Sequence, residues 1–172
     1  MQRIYLLSTG GTIEKVYSEQ SGAVENRAAK LDRYLRALRL PDAEIRSIQL
    51  MNKDSLEMTG ADRAEVRDRV AELLNEGVPI VISHGTDTMV ETGLFLESAF
   101  AGLPSSALKV PIILTGAMTP LGFEGSDALQ NLTESLLAAR LLSPGVFVVM
   151  HGQVFPVGRV RKDKDKATFV WK

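Results

Sequence analysis

The sequence predicts an α/β fold with three layers, in which a mostly parallel sheet carries helices on both faces. Short apolar runs of strand length alternate with longer segments whose apolar residues recur at helical spacing. Such alternation indicates right-handed βαβ units, whose crossover helices cover a parallel sheet on both sides. The chain has 172 residues, of which 45% are hydrophobic, and this suits a single domain spanning residues 1–172.

Each element has its own signal in the sequence. Short apolar runs predict the strands Ile4–Leu7, Glu44–Leu50, Val78–Ile82, Val110–Leu114 and Gly145–Met150. Apolar residues three or four positions apart predict the helices Leu31–Leu38, Val66–Leu74, Thr88–Ala101 and Ser126–Leu142. The segment from Glu14 to Ala29 has little periodicity and holds Gly22, so it is expected to be a long, mobile loop.

Composition excludes several classes of function. The 20 Lys+Arg residues nearly balance the 21 Asp+Glu residues, which gives no support for binding nucleic acid or an anionic membrane. The absence of cysteine excludes disulfides and thiolate chemistry, and two histidines are too few for a three-histidine zinc site in one chain. No apolar run has the length of a signal peptide or a membrane span, so we expect a soluble, cytoplasmic protein. We also expect neither a metal nor another cofactor.

Hydroxyl groups and glycines follow several of the predicted strands. The segments concerned are Ser8–Thr12, Asp54–Ser55, Ser83–Thr88 and Thr115–Met118. Ligands of open parallel sheets bind at the carboxyl ends of the strands. We therefore expect these loops to meet at one edge of the sheet and to form a site there.

The segment Thr9–Thr12 allows three interpretations. It can be a tight turn, a phosphate-binding loop, or an oxyanion hole beside a threonine nucleophile. The phosphate interpretation is weak because the segment has neither a Gly-Lys-Ser/Thr sequence nor the Gly-x-Gly-x-x-Gly pattern. A threonine nucleophile needs an activating partner, and Tyr17 is either that partner or an ordinary loop tyrosine.

The segment Ser83–Thr88, after the third predicted strand, also allows several interpretations. Thr86 or Asp87 can cap the helix that follows, and His84 is best interpreted as a histidine satisfied within the core. Asp87 also suits the ammonium group of a ligand. Lys162 can either assist deprotonation of Thr86 or be a solvated charge within the run Arg161–Lys166.

Taken together, in this order and at strand ends, these motifs resemble the bacterial-type L-asparaginase family, whose members deamidate asparagine and sometimes glutamine. The segments that carry the resemblance are Thr9–Ile13, Asp54–Met58, Ser83–Met89 (with Ser83 where threonine is commoner), Gly116–Met118, Ser126–Asp127 and Asn131–Leu132. The resemblance runs from about Arg3 to about Phe169 and covers the family's N-terminal, flavodoxin-like domain. Typical members are much longer and have a C-terminal domain that this sequence is expected to lack.

The resemblance implies catalytic roles for five residues. Thr12 would attack the side-chain amide carbon of L-asparagine, with Tyr17 as the nearest candidate for the family's catalytic tyrosine. Thr86, Asp87 and Lys162 would form a second triad that orients the substrate and activates the hydroxyl or the water.

Two of these assignments have alternatives. The tyrosine slot of close family patterns corresponds here to Glu19. Counting back from Phe169 does not reach a lysine, so Lys164 remains an alternative to Lys162.

The resemblance also implies substrate contacts from Gly11, Ser55, Asp87 and Ala117. Asp87 would hold the α-ammonium group, Ser55 the α-carboxylate, and backbone N–H groups of the glycine turns the oxyanion. In glutamine-tolerant relatives the residue after the serine is often Gln, which can bond the substrate. Here it is Leu56, so we expect weak activity on glutamine.

Two other functions remain open: the asparaginase-like, ammonia-releasing component of a tRNA-dependent amidotransferase, and a non-catalytic amino-acid-binding module. We also expect a homo-oligomer, either a dimer or a dimer of dimers. Without the C-terminal domain, the apolar surface that this domain covers in longer family members would be exposed, and such surfaces usually form interfaces. Candidates for that surface are Phe100, Leu103, Phe155 and Trp171.

Overall fold

The computed structural model describes residues 1–18, 20, 24–26, 31–101 and 108–172. The strands in these ranges are β1 (Gln2–Gly10), β2 (Lys15–Tyr17), β3 (Val24–Asn26), β4 (Ala43–Lys53), β5 (Ile80–Ser83), β6 (Pro111–Thr115), β7 (Gly145–Met150), β8 (Gln153–Pro156), β9 (Val160–Asp163) and β10 (Thr168–Trp171). The helices are α1 (Leu31–Ala37), α2 (Gly60–Leu74), α3 (Met89–Ala101) and α4 (Ala128–Leu141). Within these ranges, no helix combines the length and the apolar character needed to cross a bilayer.

The central sheet has the strand order β4-β1-β5-β6-β7-β8. The first five strands are parallel, and β8 runs antiparallel to β7 at the edge. The carboxyl ends of β1, β5 and β6 therefore lie side by side, and Ser8 is paired with Ser83, which is paired with Thr115. The mostly parallel sheet is confirmed, and it brings the predicted loops to one edge.

Helices cover both faces of this sheet, as predicted, because side chains of a strand alternate between its two sides. Tyr5 and Leu7 of β1 belong to a core cluster that includes apolar residues of α2 and α3. Ile4 and Leu6 of the same strand belong to the opposite cluster, with residues of α1 and α4. The apolar run of β1 thus reflects burial on both faces, which is typical of a central parallel strand.

The prediction of an irregular loop from Glu14 to Ala29 is wrong for part of that segment. Thr12–Glu14 form a single 3-10 turn, and β2 pairs with β3 in an antiparallel hairpin. Strands of three residues are too short to produce a recognisable apolar period, which explains why the sequence pattern missed them. Glu19 and residues 21–23 and 27–30 lie outside the described residues.

The charged run near the C-terminus is a second hairpin, formed by β9 and β10. Its charged residues hide a strand pattern in which Val160 and Phe169 are fully buried. Two of the expected surface residues, Phe100 and Phe155, are instead buried in the core, whereas Trp171 is half-exposed and packs edge-on against Phe155. Leu103 lies outside the described residues.

A buried histidine supports the turn that follows β5. The Nδ1 atom of His84 is 2.8 Å from the Gly85 carbonyl oxygen, which can only accept, so Nδ1 carries the proton. Its Nε2 atom then accepts from the Thr92 hydroxyl at 2.9 Å. Burial lowers the pKa of His84 to about 4, so the ring is neutral at pH 7.

Acidification should destabilise the protein through this histidine. The pKa of His84 lies near 4 in the folded state and near 6.5 in the unfolded chain, so the unfolded chain binds the proton more tightly. The stabilisation is complete above pH 6.5 and is lost as the pH falls towards 4, by about 3 kcal/mol in total. Denaturant unfolding at a series of pH values measures this loss.

The matched variant is His84→Gln, which is uncharged throughout this range. Its unfolding free energy should decrease less than that of the wild type between pH 7 and pH 4.5. Equal decreases for the two proteins would show that His84 does not carry this pH dependence.

Candidate active site

Close approaches at three glycines bring the strand-end loops together. A β-carbon placed on Gly11 would lie 2.5 Å from the Gly85 nitrogen, and one on Gly85 would lie 2.5 Å from Ser55 Oγ. A β-carbon on Gly116 would lie 2.4 Å from the His84 carbonyl oxygen. No other residue type fits at these distances, so the glycines allow the loops to meet backbone to backbone.

The loop after β1 carries Thr12, which is partly exposed at the start of the 3-10 turn. The Gly11 N–H donates to the Lys53 carbonyl oxygen at 3.0 Å, so it is committed to the contact with β4. Lys15, just after the turn, forms an ion pair with Asp54 at 2.8 Å. The hydrogen bond from Lys15 lowers the pKa of the Asp54 carboxyl. Both contacts tie the Thr12 turn to the segment that holds Ser55.

Three of the predicted catalytic side chains contact one another beside this turn. The Lys162 Nζ atom donates to Thr86 Oγ1 at 2.7 Å and to Asp87 Oδ1 at 2.8 Å. Thr86 is buried, whereas Asp87 is exposed. A cation at this distance stabilises the negative charge that develops on a hydroxyl oxygen as it loses its proton. The residue that contacts Thr86 is therefore Lys162 and not Lys164, which is exposed in the turn of the hairpin.

Ser55 presents a buried hydroxyl that packs against Gly85. Asp54 accepts from the Leu56 N–H at 3.1 Å and so caps the short 3-10 turn that holds Ser55. Among the described residues, none forms a hydrogen bond with Ser55 Oγ, although this atom is inaccessible to solvent. A buried polar atom left unpaired is costly, so this hydroxyl suits an acceptor that a ligand supplies.

The loop after β6 is organised by Asp127. Its carboxylate accepts from the Met118 N–H at 3.0 Å, the Thr119 N–H at 2.9 Å and the Asn131 amide at 2.8 Å. Burial by itself would raise the pKa of Asp127, but these backbone bonds and one from His151 outweigh it and lower the pKa. This network gives a structural reason for the presence of Ser126–Asp127 and Asn131 among the segments that carry the family resemblance.

The same network reaches the hairpin that carries Lys162. His151 has a left-handed backbone, with a φ of 52°, and its Nε2 atom is 2.8 Å from Asp127 Oδ2. Its Nδ1 atom is 2.7 Å from the Thr168 hydroxyl of β10, whose partner strand β9 holds Lys162. Sequence reasoning gave His151 no role. The sequence feature that could have indicated a role for His151 is the Met-His-Gly segment at the end of β7.

Tyr17 and Ala117, two other predicted site residues, are not among the contacting side chains of the triad. Tyr17 is in β2 with 59% of its surface exposed, and none of the described residues bonds its hydroxyl. Ala117 is buried as a whole residue, in the core cluster that includes Ile13.

Glu14 is a buried acid that sequence reasoning placed in a mobile loop. Its carboxylate accepts hydrogen bonds from the Ser8 hydroxyl of β1 and, at 3.0 Å, from the Ser83 hydroxyl of β5. Burial raises the pKa of Glu14, although these hydrogen bonds oppose the shift. The available signal was an acidic residue directly after the apolar Ile13, within the turn that Thr12 begins.

Comparison with known proteins places the chain in a family. The family model "Asparaginase, N-terminal" matches residues 3–169. One component of the glutamyl-tRNA(Gln) amidotransferase of Aeropyrum pernix is 38% identical over 159 residues, which are 88% of this chain and 35% of that protein. An L-asparaginase of Thermococcus kodakarensis is 31% identical over 160 residues, which are 93% of this chain and 47% of that protein.

A solved structure gives the same result. The thermostable L-asparaginase from Thermococcus kodakarensis superposes with a TM-score of 0.83 and 27% identity, covering 99% of this chain and 51% of that one. The chain thus spans between about a third and a half of the proteins it matches. Because the family model covers nearly the whole sequence, the chain belongs to the asparaginase family, through that family's N-terminal domain.

Proposed function

We propose that this chain hydrolyses the side-chain amide of L-asparagine to L-aspartate and ammonia. The observation that carries the proposal is the Lys162 ammonium, which donates to the Thr86 hydroxyl at 2.7 Å beside the Asp87 carboxylate. A hydroxyl in contact with a cation is poised for loss of a proton, and a threonine needs such a partner to act in hydrolysis. A second threonine, Thr12, follows the glycine that packs against this loop.

The proposed reaction has two steps. In the first, Thr12 Oγ attacks the amide carbon, its proton passes to the leaving nitrogen, and ammonia departs from an acyl-Thr12 ester. In the second, a water molecule attacks that ester as its proton passes to Thr86 and the Thr86 proton passes to the departing Thr12 oxygen, which releases aspartate and restores Thr12. The Lys162 ammonium stabilises the negative charge that develops on the Thr86 oxygen. Tyr17 is the proposed proton carrier of the first step, delivered by the β2–β3 hairpin. Asparagine and one water thus yield aspartate and ammonia.

Two side chains would hold the ends of the amino acid. The Asp87 carboxylate is exposed beside Thr86 and complements an α-ammonium group. The Ser55 hydroxyl, which none of the described residues bonds, would donate to the α-carboxylate, and this removes the cost of burying it without a partner. Gly11, whose N–H donates to Lys53, and the buried Ala117 would shape the turns around the side-chain amide.

A second candidate function is the ammonia-releasing component of a tRNA-dependent amidotransferase. The observation that favours it is the 38% identity to a component of the Aeropyrum pernix amidotransferase. The two functions differ in their need for a partner. An asparaginase releases ammonia from asparagine as the purified chain alone, whereas an amidotransferase component would require its complex. We propose a cytoplasmic location in either case.

The triad can be tested with a pair of lysine variants. Lys162→Met should lower ammonia release from asparagine by about 10²–10⁴-fold, because the positive charge of Lys162 beside Thr86 is lost. Lys164→Met is the matched control in the same hairpin and should retain wild-type turnover. Thr12→Val and Thr86→Val, which are nearly isosteric, should each lose activity to a similar extent with unchanged circular dichroism. Equal activity of Lys162→Met and the control would show that Lys162 is not catalytic.

Selectivity for asparagine should depend on Leu56. This residue follows Ser55, is 71% exposed and cannot hydrogen-bond the substrate. Glutamine has an additional methylene group, and one missing hydrogen bond is worth on the order of 1 kcal/mol. We expect kcat/KM to favour asparagine clearly and Leu56→Gln to raise the glutamine-to-asparagine ratio. Leu94→Gln, at a leucine of α3 that is 36% exposed, is the control. A wild type that accepts both amides equally would contradict this expectation.

We also propose a symmetric homo-oligomer, a dimer or a dimer of dimers. Helix α4 exposes Leu129, Leu137 and Leu141, which lie at multiples of four residues and therefore on one face. Exposed apolar surface of this kind is typical of interfaces. If assembly completes the site, specific activity should fall on dilution below the dimer Kd. A monomer by light scattering that keeps full specific activity at nanomolar concentration would exclude this arrangement.

A further inference from the structure

We propose that Glu14 is a positioning residue, whose buried carboxyl holds the Thr12 turn against the sheet. Glu14 ends the 3-10 turn that Thr12 begins, and only 6% of its surface is exposed. The inference rests on the proposed role of Thr12 as the nucleophile. It deepens that role by assigning the group that fixes the position of Thr12.

Two glycines form the N-terminal side of the turn. Gly10 and Gly11 precede Thr12 with φ values of 98° and 83°, a region that glycine enters freely. Glycine also permits many other conformations, so these two residues allow the turn without enforcing it. The contact of Gly11 with Gly85 and its hydrogen bond to Lys53 fix the turn from the N-terminal side, and the residues after Thr12 must fix it from the other.

Glu14 supplies that constraint through two strands at once. Ser8 of β1 and Ser83 of β5 are direct partners in the parallel register, so their hydroxyls lie next to each other. One carboxylate oxygen, Oε1 of Glu14, accepts from both hydroxyls. The turn is thereby attached to the two central strands whose ends carry Thr12 and Thr86.

Local backbone bonds transmit the attachment to Thr12. The Glu14 N–H donates to the Gly11 carbonyl oxygen at 3.1 Å, and the Lys15 N–H donates to the carbonyl oxygen of Thr12. Both bonds close the turn around Thr12. If Glu14 is released, the turn can open and the Thr12 hydroxyl moves, and a displacement of about 1 Å at a reacting group can cost 10²-fold in rate.

The test compares Glu14→Ala with Glu14→Gln. Glutamine keeps an oxygen that accepts from both serines, whereas alanine removes the acceptor. Glu14→Ala should lower kcat for asparagine by about 10²-fold and change KM little, because Ser55 and Asp87 remain in place. Glu14→Gln should restore most of kcat. A purely structural role would not separate kcat from KM in this way.

A second readout is independent of activity. Amide-resolved hydrogen exchange should show the N–H groups of residue 14 and Lys15 protected in the wild type and Glu14→Gln, and exposed in Glu14→Ala. If the wild type does not hydrolyse asparagine, the proposed function fails, but this exchange pattern still decides whether Glu14 holds the turn. If Glu14→Ala does not fold, Ser83→Ala replaces it, since it removes one of the two donors.

The matched control is Glu76→Ala. The Glu76 carboxylate accepts from the Tyr5 hydroxyl at 2.7 Å, which is also a contact to β1 but lies towards the opposite edge of the sheet. This variant should keep wild-type kcat and protection of the turn. Two results would overturn the proposal: wild-type kcat and slow exchange in Glu14→Ala, or a Glu14→Gln variant no better than Glu14→Ala.

Discussion

The contact between Gly11 and Gly85 is the constraint on which the candidate site depends. At these positions a β-carbon would overlap the neighbouring loop, so the approach is possible only between two glycine backbones. Thr12 and Thr86 directly follow these two glycines, and this places the two hydroxyl-bearing residues at adjoining strand ends. Ser55 joins them because its side chain packs against Gly85. The parallel order of the sheet brings the loops to one edge, and the glycines then let them touch.

The cation of the site comes from a part of the chain outside the central sheet. Lys162 lies in β9, where it is paired with Phe169, a residue fully buried in the core. Thr168 of the same hairpin contacts His151, which contacts Asp127 at the start of α4. One strand is therefore anchored by an apolar side chain and by a polar network. These two attachments explain how a lysine within a run of charges reaches a buried threonine.

The fold class was accessible from the sequence because central parallel strands are buried on both faces. The continuous apolar run at Ile4–Leu7 carries that signal, and helical spacing predicts α1 to α4. Of the candidate site, the contact of Lys162 with Thr86 was anticipated through the family resemblance and not through its spacing. The role of Glu14 was not accessible, because two serine donors on neighbouring strands become visible only after the strands are aligned. The β2 strand, Lys15–Tyr17, was missed because three residues do not define a period.

A crystal structure with L-aspartate, the proposed product, tests whether these strand ends form the active site. We expect the α-carboxylate to accept from Ser55 Oγ, the α-ammonium group to contact Asp87, and the side-chain carboxylate to lie between Thr12 and Thr86. Each contact should be within about 3 Å, the ordinary length of a hydrogen bond. Aspartate bound away from these strand ends, or bound here without a hydrogen bond from Ser55 Oγ, would contradict this assignment of the active site.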